Sequence, residues 1–496
     1  MTVNRLVGAL LLALGLVLAA CSAGSTATQV GRVPGASVVV GTTGVPASLD
    51  FTTTGGAAIP QALMANVYEG LVRIGPDGQV VPHLAESWEV SGDRTRYTFR
   101  LREGVSFSNG DPFTAESAKF SIEYVRDGWT NALRSQMDVV DRVEVLAPHV
   151  LQVDLHRPSN NWLWSMGTLT GAMMTPSGIP TLATEPVGTG PYVLDRFAVG
   201  ESISFHARDD YWGTPARHDA AIRYFSDAVS AVNALRSGDI DVVWSMQSPE
   251  LLDTLPEEYG VAVGTTNGEV ILSMNNNRTP FDDPRVRRAV AHAVDRHALN
   301  EVVWEGLATD TGGAPVPPTD PWFTGHDHYP HDQERARELL AEAGAEGASV
   351  RISVPSLPYA QNISELLYSQ LREVGLDVGL DTVEFPAVWL AEVMGSQDYD
   401  MSVIAHVEPR DLPTLFGDPD GYLGFDDAGV RAALLAADTG EDQVGHMRAA
   451  VDGIMAQAGA LTLFNLPNIV ITGPGVTGVE PNVVTDALPL AGMGRA

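Results

Sequence analysis

Apolar and polar positions along the chain fall into three kinds of pattern. From Leu6 to Ala20 the residues are almost uninterruptedly apolar, preceded by the single charge of Arg5 and closed by Leu18-Ala19-Ala20-Cys21. About fifteen residues is short of the roughly 20 that span a bilayer as a helix, and a basic start, an apolar run and small residues at a cut describe a secretory leader. Beyond it, strand-like and helix-like periods alternate. Ser37 to Val40 reads as a buried strand, and Leu63, Val67 and Leu71 space out a helix over 60–73. Tyr97 to Leu101 and Val150 to Leu155 alternate as strands, and Ala118, Ile122 and Val125 mark the inner face of a helix opened by Thr114. Asp227 caps a helix that Gly238 stops, and strands follow near 241–244 and 270–274.

The second half is more regular. Helices are expected at 284–294 and 333–343, then a strand at 350–354, a helix at 363–374, a strand at 376–383, a helix at 387–394 and a strand at 399–405. Helices at 430–437 and 444–458 and a strand at 461–466 complete the series. Such alternation predicts an α/β fold. Ser22 to Gly35 is small, polar and breaker-rich, which predicts a flexible tether reaching about 20 Å.

Composition adds two constraints. Cys21 is the only cysteine, so disulfides and cysteine metal sites are excluded. Leu-Ala-Ala-Cys resembles a bacterial lipobox, which implies a lipid on Cys21 once residues 1–20 are removed. The formal net charge is −32, a field that repels nucleic acid and anionic headgroups and favours cations. Membrane contact is therefore expected through the lipid alone.

Catalytic signatures are sparse. His-Glu-x-x-His and Gly-x-Ser-x-Gly do not occur, and Gly188-Thr189-Gly190-Pro191 lacks the lysine and spacing of a phosphate loop. The run His326-Asp327-His328-Tyr329-Pro330-His331-Asp332 carries metal-ligating side chains but reads better as a surface loop ending in a helix cap at Asp332. Neither a cofactor nor a metal is expected.

Longer segments carry more information. Leu84-Ala85-Glu86-Ser87-Trp88-Glu89-Val90 is followed by Tyr97 to Arg102 and by Glu103-Gly104-Val105-Ser106-Phe107-Ser108-Asn109-Gly110-Asp111-Pro112-Phe113-Thr114. Gly188 to Tyr192, Tyr211-Trp212-Gly213, Asn275 to Arg278 with Pro280-Phe281-Asp282-Asp283, and the helix from Asp332 to Gly344 continue the series. Together they resemble the family 5 extracellular solute-binding proteins, the oligopeptide and dipeptide receptors of ABC importers. Each segment also has a structural reading: Trp88 and Phe107 as core anchors, Gly188 and Gly190 as points of close strand approach.

The resemblance implies an α/β, two-lobed clamshell of the type II periplasmic-binding-protein kind, in the large peptide-binding subclass. Lobe I would comprise residues 36–55, 185–272 and 467–496, the inserted subdomain 56–184 and lobe II 273–466, after the leader (1–20) and tether (21–35). It further implies a non-enzymatic monomer that closes on short peptides and passes them to ABC permease and ATPase subunits at the outer face of the membrane. The same fold serves oligosaccharides, nickel complexes and signalling peptides in relatives.

In peptide-binding relatives an acidic residue after a lobe II strand holds the ligand's α-ammonium. Relatives usually show Gly-Trp there, then an aspartate three residues on. This chain has Ala405-His406, with Glu408 one residue early and Asp411 two late. The expected ligand-binding residues are therefore Glu408, Asp411, Arg410 and His406, with Asn275, Asn277 and Trp389 as weaker members. Arg410 either neutralises one acid or grips a ligand carboxylate. Trp162, Trp164, Trp322 and Trp389 offer stacking surfaces. A loop ion-pair network among Glu408, Arg410 and Asp411 is the structural alternative to ligand contact.

Overall fold

The computed structural model describes residues 32–495. The leader, Cys21 and most of the tether lie outside them.

β1 (Val38–Thr42) is buried along its whole length. The two-residue period of a strand divides its side chains: Val38 and Val40 enter one apolar cluster and Val39 another. The chain then leaves this sheet and builds a separate antiparallel one from β2 (Ala85–Val90), β3 (Arg96–Leu101), β4 (Val140–Ala147) and β5 (Val150–Leu155), in the order β2-β3-β5-β4. α1 (Ala115–Gly128) packs against this sheet, and α2 (Asn160–Ser165) follows it.

The helix expected over 60–73 is much shorter, covering only Ala58–Leu63. Ala65 takes a left-handed φ of 64°, which ends it. The next residues run against Gly188 and Gly190, where an added Cβ would fall 1.9 Å from Val67 O and 2.4 Å from Asn66 O. Burial of Val67 and Leu71 thus comes from a turn and the chain after it, packed against Gly188 and Gly190, and their spacing mimics a helix.

The chain returns through β6 (Tyr192–Ala198), β7 (Ser202–Ala207), β8 (Ala220–Tyr224), α3 (Ala228–Ser237) and β9 (Val242–Val243). Asp227 caps α3 by accepting from Ser230 N, and Gly238 ends it at φ 78°. Then comes the long β10 (Gly260–Met274). After it the chain forms α4 (Pro284–Ala293), α5 (Arg296–Trp304), α6 (Gln333–Ala343, capped by Asp332), β11 (Ser349–Pro355), α7 (Pro358–Glu373), β12 (Asp377–Val383) and β13 (Met401–His406). α8 (Ala428–Thr439), α9 (Gln443–Ala456) and the long β14 (Ala460–Thr472) follow.

One ten-stranded sheet unites the molecule, in the order β12-β11-β13-β10-β14-β9-β1-β8-β7-β6. β10 and β14 are its bridge. Residues 260–265 of β10 pair with 467–472, while residues 269–274 pair with both 460–465 and β13. Between the two stretches, Thr266 to Gly268 bulge out of register. Asn465 pins the bulge, donating to Thr266 O at 2.9 Å and Gly268 O at 2.8 Å. Thr266 answers by donating to Leu466 O.

Two polar junctions join the four-stranded unit to the rest. Glu69, 3% exposed, accepts from Tyr211 OH (2.6 Å), Trp212 Nε1 (2.9 Å) and Thr189 Oγ1 (2.9 Å), and bonds His83 Nε2 (2.9 Å). Burial raises its pKa, but these partners outweigh that and hold the carboxyl below its ordinary range. The second junction meets the C-terminus of α8. Asp438 accepts from Ser159 Oγ (2.8 Å) and Asn161 N (3.0 Å) and pairs with Arg157. Asn160 Nδ2 donates to Ala437 O and Gly440 O at 2.7 and 2.9 Å, satisfying carbonyls that the helix end leaves free.

The Asp438 junction spans two bodies that the β10/β14 bridge alone would let separate. Replacing Asp438 with alanine removes hydrogen bonds to a charged acceptor, each worth about 1.5–3 kcal/mol. The expected outcome is a larger radius of gyration for the Asp438→Ala protein in small-angle X-ray scattering, with an unchanged circular dichroism spectrum. An unchanged radius would show that this contact does not hold the closed arrangement.

Candidate functional site

β13 ends at His406, and the chain then turns through Val407-Glu408-Pro409-Arg410 to Asp411. Arg410 adopts a left-handed φ of 57°, an arrangement that costs a non-glycine residue of order 1 kcal/mol or more and persists only where contacts enforce it. Those contacts are specific. Its guanidinium lies between the rings of Trp164 and Trp322, 4.5 and 4.7 Å from their centroids. Nη2 donates to Gly78 O at 2.9 Å, and Nε lies 3.5 Å from Asp320 Oδ1. Gly78 sits in a turn that presses on the Thr319–Pro321 loop, since a Cβ there would lie 2.7 Å from Thr319 O. Arg410 therefore reaches from the β13 side of the molecule to Gly78 and Trp164 in the segment between β1 and β6.

Next to this sandwich lies an excess of carboxylates. Asp320 and Asp411 have side chains only 10% and 16% exposed. Glu269, at the start of the second pairing stretch of β10, is 2% exposed. Glu408 is exposed at the rim. Burial, and then the negative charge of Glu408, pushes Asp411 up to about 8. Burial, then Asp411 and Asp320, pushes Glu269 far above its ordinary range. Asp320 rises to about 6 through burial, against the pull of Arg410, and Asp486 rises to about 6 through burial and Glu408. Burial lowers Arg410 to about 10, so it keeps its charge at neutral pH. Burial also lowers His406, whose Nε2 bonds Tyr422 OH at 2.7 Å and whose Nδ1 lies 3.9 Å from Asp411 Oδ2. Acids thus outnumber the bases that face them.

The structure brings His406, Glu408, Arg410 and Asp411 together and separates the other expected members from them. Asn275 lies at the far end of β10, six residues from the level of His406, or roughly 20 Å at the rise of a strand. Its amide is consumed by the carbonyls of Gln397 and Tyr399, which makes it a turn clamp. Asn277, exposed, packs beside Gly424 at that same end. Trp389 is 2% exposed and donates to Ser402 Oγ at 3.0 Å, inside the core beneath β13. Trp162 is likewise a core residue, bonded to Met137 Sδ.

Arg410 is held by Asp320, Gly78 and two indoles. Trp164 and Trp322, expected to offer stacking surfaces, sandwich Arg410, whereas Glu269, Asp320, Asp486 and Tyr422 are not among the residues the sequence singles out. One signal was available for Glu269: a lone acid within the otherwise apolar run of a long central strand.

His406, Glu408 and Asp411 each bring one ligand-capable atom within 4.8 Å of the others, the one such group among the described residues. The His326–His331 loop does not form one: Asp327 pairs with Arg296 at 2.7 Å, and His326 stacks edge-on with His328.

The raised acids make a linkage prediction. The native protein keeps a proton on Asp411 between its ordinary pKa of 3.8 and about 8, where the unfolded chain has released it. Native-state proton excess means that stability falls as pH rises through that window. Asp411→Asn is neutral throughout and removes this contribution. Between pH 5 and 8 the melting temperature of the wild type is expected to fall more steeply than that of Asp411→Asn in scanning calorimetry. Parallel slopes would contradict the assignment.

Comparison with known proteins adds the family context. Residues 79–419 match the profile of the bacterial extracellular solute-binding proteins, family 5 (middle region). The chain is 28% identical over 404 residues to the di/tripeptide-binding protein 2 of Pseudomonas aeruginosa, covering 72% of each chain. It is 29% identical over 330 residues to the glutathione-binding protein GsiB of Escherichia coli K12, spanning 64% of each. Among solved structures, the ABC transporter substrate-binding protein CtaP of Listeria monocytogenes superposes with a TM-score of 0.82 at 18% identity, over 93% of this chain and 99% of that one. That likeness carries the two-lobed fold alone.

Proposed function

The chain belongs to the family 5 bacterial extracellular solute-binding proteins, and on that premise we propose that it captures short peptides by their α-ammonium in the cleft at His406–Asp411. The family supplies the substrate-binding, non-enzymatic component of ABC transporters and works outside the cytoplasm. The observation that carries the peptide reading is the cluster of Glu269, Asp320, Glu408 and Asp411 with Arg410 as its one strong base. Asp411, giving up its proton as the ammonium approaches, supplies the counter-charge with Glu408 at the rim. His406 and Tyr422 shape the pocket floor, and Arg410 with its two indoles closes the side. The relatives from Pseudomonas aeruginosa and Escherichia coli are named for di- and tripeptides and for glutathione, a tripeptide, which favours ligands of that size.

The finer parts of the reading follow from the N-terminal pattern. The lipid on Cys21 keeps the receptor at the membrane, where tethering raises its effective concentration at a permease. The lobes act as a monomeric clamshell, and ATP hydrolysis belongs to partner subunits. A chelated metal ion, suggested by the His406-Glu408-Asp411 trio, is the second ligand class to test.

Two experiments decide these points. In calorimetry, unmodified di- and tripeptides are expected to bind, and N-acetylation is expected to weaken binding about 10- to 100-fold, the equivalent of one lost charge-assisted hydrogen bond. Binding that is indifferent to acetylation would remove the α-ammonium claim, and a metal chelate found in native mass spectra would favour the second class. For the anchor, Cys21→Ser is expected to shift the protein from the membrane to the soluble extracytoplasmic fraction. Retention at the membrane would refute lipid anchoring.

A further inference from the structure

Glu269 on β10 stands directly opposite His406 on β13 and Asn465 on β14. Directly opposed residues of antiparallel strands project from the same face of a sheet, so these three side chains form one row. Asn465, fully buried, turns both N–H groups back onto the bulge, and its Oδ1 has no donor. Glu269 Oε1 has none either. The charges that reach Glu269 are those of Asp411 and Asp320, both of its own sign. Two buried polar groups in one row, each with an oxygen that no protein group meets and with no counter-charge near, cost stability, and a ligand with several N–H bonds would relieve that cost. A structural ion pair is excluded as the reason for this carboxylate, because Arg410 is turned away onto Asp320, Gly78 and the indoles.

We propose that Glu269, with Asn465 Oδ1 beside it, forms a second cation subsite adjoining the one at Asp411, so that the protein selects ligands carrying two positive groups. A short peptide whose first residue is lysine or arginine is such a ligand: its α-ammonium meets Asp411 and its side-chain cation meets Glu269. The inference rests on the cleft being the ligand site proposed above. It assigns to Glu269 a specificity role, choosing among ligands that the Asp411 region already accepts.

The test is calorimetry on the purified protein with Lys-Ala, Arg-Ala and norleucyl-Ala, the last having a side chain of similar length and no charge. The wild type is expected to bind the basic dipeptides at least ~10-fold more tightly than norleucyl-Ala, the span of one charge-assisted contact. In Glu269→Gln that preference is expected to fall to near unity. Equal affinities in the wild type, or a preference that survives in Glu269→Gln, would overturn the proposal. Should the variant not fold, wild-type selectivity alone decides, because its absence refutes the subsite. Should no dipeptide bind, agmatine, a non-peptide dication, separates the two claims. Agmatine binding that is lost in Glu269→Gln keeps the subsite and removes the peptide reading, whereas no agmatine binding removes both.

Discussion

Everything in this molecule hangs on two strands that run through both halves of one sheet. β10 and β14 each pair with one set of neighbours at one end and a different set at the other. A continuous antiparallel pair is stiff, so the change of neighbours needs a place where register gives. That place is the Thr266–Gly268 bulge, which Asn465 holds with both of its amide N–H groups. Because side chains alternate along a strand, the bulge also decides which residues emerge beside the cleft. Glu269 is the first residue after it. The geometry that permits a hinge and the placement of a buried acid are thus one feature.

Around that feature the electrostatics are arranged against the protein's own stability. Asp320, Asp411 and Glu269 are taken out of water near one another, and burial drives each towards its neutral form. Arg410 relieves only part of this, since its guanidinium faces Asp320 and the two indoles. Three desolvated acids close to one another and a left-handed arginine are local strains that the surrounding contacts must hold. Elsewhere the buried carboxylates are satisfied. Glu69 has four partners, and Asp241, fully buried, pairs with Arg32 and Arg495 near the two ends of the described chain. The contrast separates acids that hold the fold from acids that await a partner.

Part of the candidate site is legible locally. The segment His406-Val407-Glu408-Pro409-Arg410-Asp411 stands out by its acids after a strand, and the structure brings His406, Glu408 and Asp411 together while Arg410 turns onto Asp320. Asn275, Asn277 and Trp389, the weaker expected members, lie away from this cluster. Their side chains turn out to serve the backbone of a turn, the packing beside Gly424 and the hydroxyl of Ser402, demands that a linear sequence does not display. The same limit explains the helix expected over 60–73. Apolar spacing reports burial, and a turn wedged beside Gly188 and Gly190 is buried at the same positions as one face of a helix would be.

By itself the sequence determined what short-range physics controls: the alternation of strand and helix periods, caps such as Asp227 and Asp332, the leader pattern ending at Cys21, and the acidic balance of the whole. Only the tertiary structure decided which acids share a pocket. Glu269, Asp320 and Asp411 are separated by 51 and 91 residues along the chain, and no local period relates them. They meet because a mixed sheet closes loops of that length, and desolvation, which only the folded arrangement creates, shifts all three carboxylates towards their neutral forms.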